Sequence, residues 1–347
     1  MRAVLTSVAV LALLAAGAAG WALLSWNAPG PGSNPGVILI QPGTRTHAIA
    51  TQLEDAGLVR RGLVFEFDLR LKKLASRLKA GEYAIPPRAS MAEIAAILES
   101  GKSIQHKLTA AEGLTSDMIW KLVAADEVLL GDAGPVPEEG TLLPETYLFT
   151  RGTTRKELLA RMAKAQSDYL ARIWPGRATG LPYTTLREAV VLASIVEKET
   201  ALAQERPHIA AVFVNRLKAG IRLQSDPTII YGITKGYPLG RAIKESEITG
   251  ATPYNTYVIT GLPPAPIANP GKEALAAVLK PDASSDLYFV ANGTGGHVFA
   301  ATIAEHARNV IAWRVLQKLK DKGGVLAAPP AVKGQKHTGI ALRKSLG

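Results

Sequence analysis

The feature that most restricts the fold is the segment 185–200, which is apolar over most of its length and ends in two glutamates. Thr185 and Glu188 have the spacing of a capping box, so a helix is predicted to begin here. Residues 189–196 are apolar on almost every face of that helix, which is typical of a buried helix. The segment therefore predicts the centre of a folded core, with two acidic residues at its edge.

Glu197 and Glu199 stand at the carboxyl end of this predicted helix. The helix dipole and apolar surroundings both disfavour ionisation there, so a carboxyl pKa is expected to rise. A glutamic acid protonated near neutral pH can act as a general acid. The two side chains point about 200° apart, so they cannot share this role. Glu199, on the apolar face, is the candidate catalytic residue. The alternative is that both are solvated charges, with Glu197 paired to a cation.

The chain beyond Gly220 is predicted to be rich in loops, because its prolines prevent long elements, and three of its segments favour a polar cleft beside this helix. Segment 223–228 is polar, segment 253–257 places two aromatic rings beside an amide, and segment 261–271 is a proline-rich loop suited to a cleft wall. Aromatic faces and amides suit stacking and hydrogen bonding to sugar rings, although ordinary turns explain each segment alone. The candidate substrate-binding residues are Gln224, Asp226, Thr228, Tyr254, Asn255 and Tyr257.

Several other kinds of site are excluded or disfavoured. The chain has no Cys, so disulfides, thiolate nucleophiles and Cys-ligated metals are excluded. It has no phosphate-binding glycine loop, nucleophile elbow or zinc-protease helix. Its 6 His residues are scattered without ligand spacing, so we expect neither a metal nor another cofactor.

The amino terminus carries a long apolar run. No charged residue occurs from Ala3 to Trp26, which is about the length that a membrane-spanning helix needs. Trp21 and Trp26 occupy positions expected for an interfacial aromatic belt. A cleaved signal peptide is the alternative, with 16–18 as the cleavage site, but the run continues past it. We therefore predict an uncleaved single-pass membrane anchor, with everything after residue 27 outside the cytoplasm.

The formal net charge of +11 arises mostly from dispersed Lys and Arg residues. One denser stretch, 60–79, interleaves basic residues with leucines and predicts an amphipathic helix with a solvated face. Near a membrane it could also contact anionic headgroups. Nucleic acid is not an expected partner of an exported chain.

The rest of the pattern predicts an α+β protein, because short strands alternate with short helices over 37–106 and a larger mixed segment follows. The predicted organisation is a membrane anchor at 1–26, a linker at 27–36, a small α+β domain at 37–106, a larger mixed α+β catalytic domain at 107–322, and a disordered basic tail at 323–347.

The chain as far as about residue 319 resembles the endolytic murein transglycosylases of the YceG-like family. The resemblance depends on the order and combined length of several motifs, which are stronger together than any one alone. They lie at 193–200, 222–228, 230–232, 253–257, 261–264, 267–271, 287–290 and 295–299. Segment 140–147 departs from the family pattern by lacking two aromatic residues.

The resemblance implies that Glu199 is catalytic, that the small domain is LysM-like, and that the catalytic domain is periplasmic behind a single membrane helix. It also implies peptidoglycan glycan strands as substrate and penicillin-binding synthases as partners, with an enzyme that terminates or releases nascent strands. Because the motifs supply one acid with a reason for a raised pKa, we expect a lytic transglycosylase that leaves 1,6-anhydro-N-acetylmuramic acid ends.

Two alternatives remain open at this stage. A membrane-anchored peptidoglycan-binding scaffold without catalysis would recruit synthases but would not need a buried carboxyl group. An ordinary hydrolase would need a second carboxylate or a positioned water, for which Asp226 is the obvious candidate.

Overall fold

A computed structural model describes residues 24–321 together with positions 17, 20 and 21. Most of the predicted anchor and all of the predicted tail lie outside these residues. Within the part of the chain that is described, no helix is long and apolar enough to cross a membrane.

The amino-terminal part is a small α+β module. Strand β1 (Gly36–Ile40) pairs antiparallel with β2 (Gly81–Ile85), and the helices are α1 (Thr46–Asp55), α2 (Gly62–Leu71) and α3 (Met91–Ser100). The predicted capping box of Ser90 and Glu93 opens α3, and Gly101 ends it in the left-handed conformation. The buried core of the module includes Ile38, Leu53, Phe65, Tyr83 and Leu98.

Two expectations for this region are corrected. The basic stretch 60–79 is not one helix, because α2 ends at Leu71 and the chain then turns through Lys73, whose φ is 59°. Trp26 is not a free aromatic belt residue. It is 7% exposed and stacks on Phe65, with 6.0 Å between the ring centroids. The end of the apolar run therefore belongs to the core of the module.

A second group of elements follows. Strand β3 (His106–Thr109) pairs antiparallel with β4 (Thr146–Phe149), and the helices are α4 (Ser116–Ala125) and α5 (Arg155–Ile173). They enclose their own cluster of buried side chains, which includes Ile119, Leu142, Leu158 and Met162. The carboxylate of Glu82 on β2 lies 2.6 Å from His106 Nε2 and accepts a 2.9 Å hydrogen bond from Arg151, so polar contacts join this group to the small module.

The largest core surrounds α6 (Leu186–Glu199), the helix predicted from the apolar segment, and its capping box of Thr185 and Glu188 is present. The neighbouring elements are α7 (Arg206–Lys218), α8 (Asp226–Thr234), α9 (Glu245–Thr249), α10 (Lys272–Leu279), the antiparallel pair β5 (Tyr288–Ala291) and β6 (His297–Ala300), and α11 (Ile303–Asp321). Helices α7 and α10 pack directly against α6. The protein is thus a mixed α+β fold with a buried central helix.

The region after residue 220 is more helical than the sequence predicted. Segment 226–234 was expected to be part of a polar loop, but it forms α8, because Pro227 stands in the first turn, where its missing N–H costs no hydrogen bond. Likewise, α10 begins directly after the proline-rich loop, at Lys272. Both helices matter for the site, since α8 carries Asp226 and α10 packs behind α6.

Candidate active site

Glu199 occupies the last position of α6, where the helix emerges from the core. The preceding turns carry Leu192, Ile195 and Val196, all fully buried. Ser194, also fully buried, accepts a 3.0 Å hydrogen bond from the backbone N–H of Ile267 and so ties the proline-rich loop to the helix. The position of the Glu199 carboxyl group is therefore set by a rigid, packed helix.

The carboxyl group of Glu199 accepts a short hydrogen bond from the Ser225 hydroxyl. Ser225 is itself buried, and its backbone N–H donates to Thr256 Oγ1 at 2.9 Å. The neighbouring Gln224 N–H donates to the Thr256 carbonyl at 3.1 Å. These contacts bring the two predicted cleft segments, 223–228 and 253–257, together beside Glu199.

The surroundings of Glu199 favour its protonated form. Burial raises the pKa of Glu199 to about 7, and the nearby negative charge of Asp226 acts in the same direction. The Ser225 hydrogen bond and the positive charge of Arg216 oppose this shift only partly. A carboxyl group in this state can give a proton to a leaving oxygen at neutral pH.

Glu197 has a different environment. Its side chain is 4% exposed and accepts 2.8 Å hydrogen bonds from Arg206 and from the backbone N–H of Gly271. Arg206 also binds Glu112 and Glu273, so one buried guanidinium joins α6, α7 and the start of α10. The alternative reading for Glu197 is therefore right about a cationic partner and wrong about solvation, because the pair is buried.

A cleft of about 450 Å³ opens in front of Glu199. Of the residues predicted to bind substrate, Gln224, Asp226 and Tyr257 lie along it. The cleft is also lined by residues outside the predicted substrate-binding set, among them Phe289 on β5 and His306 and Trp313 on α11. The cleft thus combines an acid and polar groups with aromatic rings.

Two predicted residues face the protein interior instead. Thr228 is fully buried, and its hydroxyl donates to the Ser225 carbonyl at 2.6 Å. Asn255 is also buried, and its amide donates to the carbonyls of Glu247, Ile248 and Gly250 at 2.7–3.0 Å. Both residues hold loops in place and present no group to the cleft.

Tyr254 lies apart from the other candidates. Its ring packs against Tyr231, with 4.9 Å between the centroids, and the Lys235 ammonium lies 5.5 Å from its centre. It is not among the residues that line the cleft at Glu199. The tyrosine pair of 253–257 is therefore divided, with only Tyr257 at the candidate site.

Sequence reasoning missed Arg216 and the positioning contact of Ser225. Arg216 donates to the carbonyls of Leu287 at 2.6 Å and Leu223 at 2.9 Å, and its guanidinium lies 5.2 Å from the Tyr288 ring centre. It thereby joins α7 to both walls of the cleft. Ser225 could have been found from its place inside the polar run 223–228. No sequence signal pointed to Arg216 within its helix.

Asp226, predicted to bind substrate and the obvious candidate for a second acid, lies in the same cleft, in the first turn of α8. Its Oδ1 accepts a 2.6 Å hydrogen bond from the Tyr257 hydroxyl. The site therefore holds two carboxyl groups, of which one is held by a phenol and the other by a serine.

Comparison with known proteins extends this picture. The model of the YceG-like family matches residues 38–312. A Streptococcus pneumoniae serotype 2 protein named endolytic murein transglycosylase is 32% identical over an alignment of 323 residues, which covers 78% of this chain and 57% of that protein. A Bacillus subtilis protein of the same name is 30% identical over 302 residues, which covers 78% of this chain and 82% of that protein.

The chain thus spans little more than half the length of the pneumococcal relative. A crystal structure of a YceG-like protein from Listeria monocytogenes aligns with a TM-score of 0.49 and 28% identity, and covers 80% of this chain and 99% of that one. The family match extends over most of the chain and includes every residue that lines the cleft except Trp313. The chain belongs to the YceG-like family.

Proposed function

We propose that the protein is an endolytic lytic transglycosylase that cuts peptidoglycan strands between N-acetylmuramic acid and N-acetylglucosamine, with Glu199 as acid and base. The observation that carries this proposal is the cleft at Glu199, in which burial raises the pKa of that carboxyl group to about 7. The name of the Streptococcus and Bacillus relatives, endolytic murein transglycosylase, supports the same reaction.

The first step transfers a proton from Glu199 to the glycosidic oxygen. The bond between that oxygen and C1 of the muramic acid breaks, and the electron pair leaves with the N-acetylglucosamine hydroxyl. The 6-hydroxyl of the same muramic acid then attacks C1 and gives its proton to the Glu199 carboxylate. No water is consumed, and the product is a 1,6-anhydro ring. Intramolecular attack has a proximity advantage that water lacks.

The cleft residues have distinct roles in this reaction. Gln224 and Tyr257 can hydrogen-bond sugar hydroxyl and acetamido groups, and Trp313 offers an aromatic face to a sugar ring. Asn255, a substrate-binding candidate from the sequence, cannot stabilise the cationic sugar, because its amide is enclosed by backbone carbonyls. We assign the task to Asp226, because a carboxylate in the cleft stabilises a positive charge at C1.

Hydrolysis is a second candidate because Asp226 shares the cleft with Glu199. Retaining and inverting hydrolases both use a pair of carboxyl groups. The deciding experiment is mass spectrometry of products formed from purified peptidoglycan in ¹⁸O-labelled water. Anhydro ends without ¹⁸O support the proposal. Reducing ends that carry ¹⁸O would identify a hydrolase, and intact strands that still bind the protein would identify a scaffold.

The proposal extends to the place of the enzyme in the cell. We propose that residues 1–26 anchor the chain in the inner membrane, and that the LysM-like domain at 37–106 and the catalytic domain at 107–322 lie in the periplasm. Beside penicillin-binding synthases, such an enzyme would terminate growing strands. The support is the uncharged run from Ala3 to Trp26. A carboxyl-terminal reporter that works only in the cytoplasm would contradict this placement if it were active.

A further inference from the structure

Helix α2 is apolar on two opposite sides. Phe65 and Leu69 are fully buried in the small module. On the other side, Leu63, Phe67 and Leu71 are 69%, 62% and 65% exposed. Their spacing of four residues places them in one stripe along the helix. A soluble module needs only one apolar face per helix, so an ordered second stripe marks a contact surface.

Every exposed charged side chain within residues 60–73 is basic, namely Arg60, Arg61, Arg70 and Lys73. The two acids of the helix, Glu66 and Asp68, are buried on the inner side, and Glu66 is paired with Arg70 and His47. The outward surface therefore combines apolar side chains with a basic border, the composition of helices that lie in a membrane interface.

The position of α2 in the chain identifies the partner. Trp26, at the end of the uncharged amino-terminal run, stacks on Phe65 of this helix. A groove of about 260 Å³ beside it is lined by Trp21, Val64 and Met91, with Arg60 and Arg61 among its residues. Trp26 packs on the side of α2 opposite to the stripe, but an anchor that ends at Trp26 would keep the whole module, and with it the stripe, within reach of the bilayer surface.

We propose that the outer face of α2 docks onto an anionic lipid bilayer, with Leu63, Phe67 and Leu71 at the headgroup boundary and the basic residues on lipid phosphates. This inference rests on the anchor part of the proposed function. Docking would fix the orientation of the small module on the membrane, whereas an anchor alone leaves it free to rotate.

The absence of cysteine in the chain permits single-cysteine labelling of the full protein. Nitroxide labels are attached in three single-cysteine variants. These are Phe67→Cys on the stripe, Leu13→Cys in the amino-terminal run and Leu122→Cys at an exposed position of α4. Each variant is reconstituted in vesicles of phosphatidylglycerol and phosphatidylcholine. Collision with oxygen, which concentrates in lipid, is compared with collision with a water-soluble nickel chelate.

We expect the label at residue 13 to report the bilayer interior, the label at 67 the headgroup boundary, and the label at 122 water. An aqueous signal at 67 with an interior signal at 13 would overturn the docking and leave the anchor intact. An aqueous signal at both positions would overturn both the docking and the anchor. Spin–spin coupling between labels at 67 in detergent would show that the stripe binds a second copy of the chain and not the bilayer.

The contribution of charge is tested separately. The double variant Arg60→Glu, Arg61→Glu is expected to shift the label at 67 towards water. With Arg60 and Arg61 intact, vesicles of phosphatidylcholine alone should shift the same label in the same direction. Neither side chain pairs with an acid among the described ion pairs, so the fold should persist, as circular dichroism would verify. Unchanged depth in both cases would contradict the role of anionic lipid.

Discussion

Glu197 and Glu199 end the same helix two residues apart, yet they lie in opposite environments. Glu197 is enclosed with Arg206 and the Gly271 amide, in a contact that ties α6, α7 and α10 together. Glu199 faces an open cleft and receives one hydroxyl hydrogen bond, from Ser225. Burial acts to raise the pKa of both carboxyl groups. Glu197 therefore has a structural role and Glu199 can donate a proton because the two side chains have different partners.

The neighbours explain why only one of the two is suited to proton transfer. A carboxylate held by a buried guanidinium and an amide is poorly placed to exchange a proton with a ligand. Within the described residues, no Lys or Arg forms an ion pair with Glu199. Its proton is therefore available to a substrate in the cleft.

The largest expected effect is on activity. Glu199→Gln keeps size and polarity but removes the transferable proton, so strand cleavage should fall by about 10²–10⁴-fold, the usual contribution of general acid catalysis. Glu197→Gln should retain much more activity in the folded fraction. Both rates are measured on purified peptidoglycan, with circular dichroism as the control for folding. Equal losses in the two variants would remove the distinction between the sites.

Stability should change in opposite directions. Because the pKa of Glu199 is raised from 4.5 to about 7, the folded state holds a proton that the unfolded state loses, and stability falls as pH rises through this window. Glu199→Gln removes that penalty. It should raise the free energy of unfolding at pH 8 by on the order of 3 kcal/mol and have no such effect at pH 4.

Glu197→Gln should instead lower the free energy of unfolding by about 1–3 kcal/mol. Burial raises the pKa of Glu197 as well, but Gly271 and Arg206 oppose that shift, and the loss of their charged acceptor should outweigh the removed cost of burial. Denaturant unfolding at both pH values measures the two variants side by side. Destabilisation by Glu199→Gln at pH 8 would contradict the raised pKa.

Ser225 offers a finer test of the Glu199 environment. Its hydrogen bond lowers the pKa of Glu199 against the effect of burial. In Ser225→Ala, the alkaline limb of the activity profile should therefore move upward by roughly 0.5–1 pH unit, the equivalent of a bond worth about 1 kcal/mol. Ser225→Thr keeps the hydroxyl group and should restore the original limb. A uniform drop in rate with no shift of the limb would reduce Ser225 to a packing role.

The smallest expected effect concerns the far wall of the cleft. Trp313→Ala should raise KM with little change in kcat, at a cost of about 1 kcal/mol in kcat/KM, because it removes an aromatic surface and no reacting group. Ile311→Ala is the matched control, since it lies exposed on the same helix outside the cleft lining. Identical kinetics in the two variants would exclude Trp313 from substrate binding.

Local sequence signals predicted the elements that position the acid. The capping box at Thr185 and Glu188 and the apolar run behind it gave α6 and the buried setting of Glu199. They worked because capping and periodicity depend on residues a few positions apart. Polar segment 223–228 was likewise recognised as part of the site, although the helix starting at Asp226 was taken for loop.

The contacts between distant segments could not be predicted in this way. Arg216, Phe289 and Trp313 join Glu199 in one cleft only because β5 packs against α7 and α11 packs in turn against β5. Asn255 and Thr228 have the right chemistry for a sugar, but hydrogen bonds to carbonyls of their own loops turn both inward. Polarity in the sequence shows that a group needs a partner, and only the fold decides whether that partner is a ligand or a loop.

The central claim is that Glu199 carries a proton at neutral pH while it faces the cleft. Infrared difference spectroscopy across a pH titration measures this directly, through the carbonyl stretch of a protonated carboxyl group. The account predicts a band that disappears with a midpoint of about 7, is absent in Glu199→Gln and persists in Glu197→Gln. A midpoint near 4.5, the ordinary value for Glu, or loss of the band in Glu197→Gln alone, would contradict it.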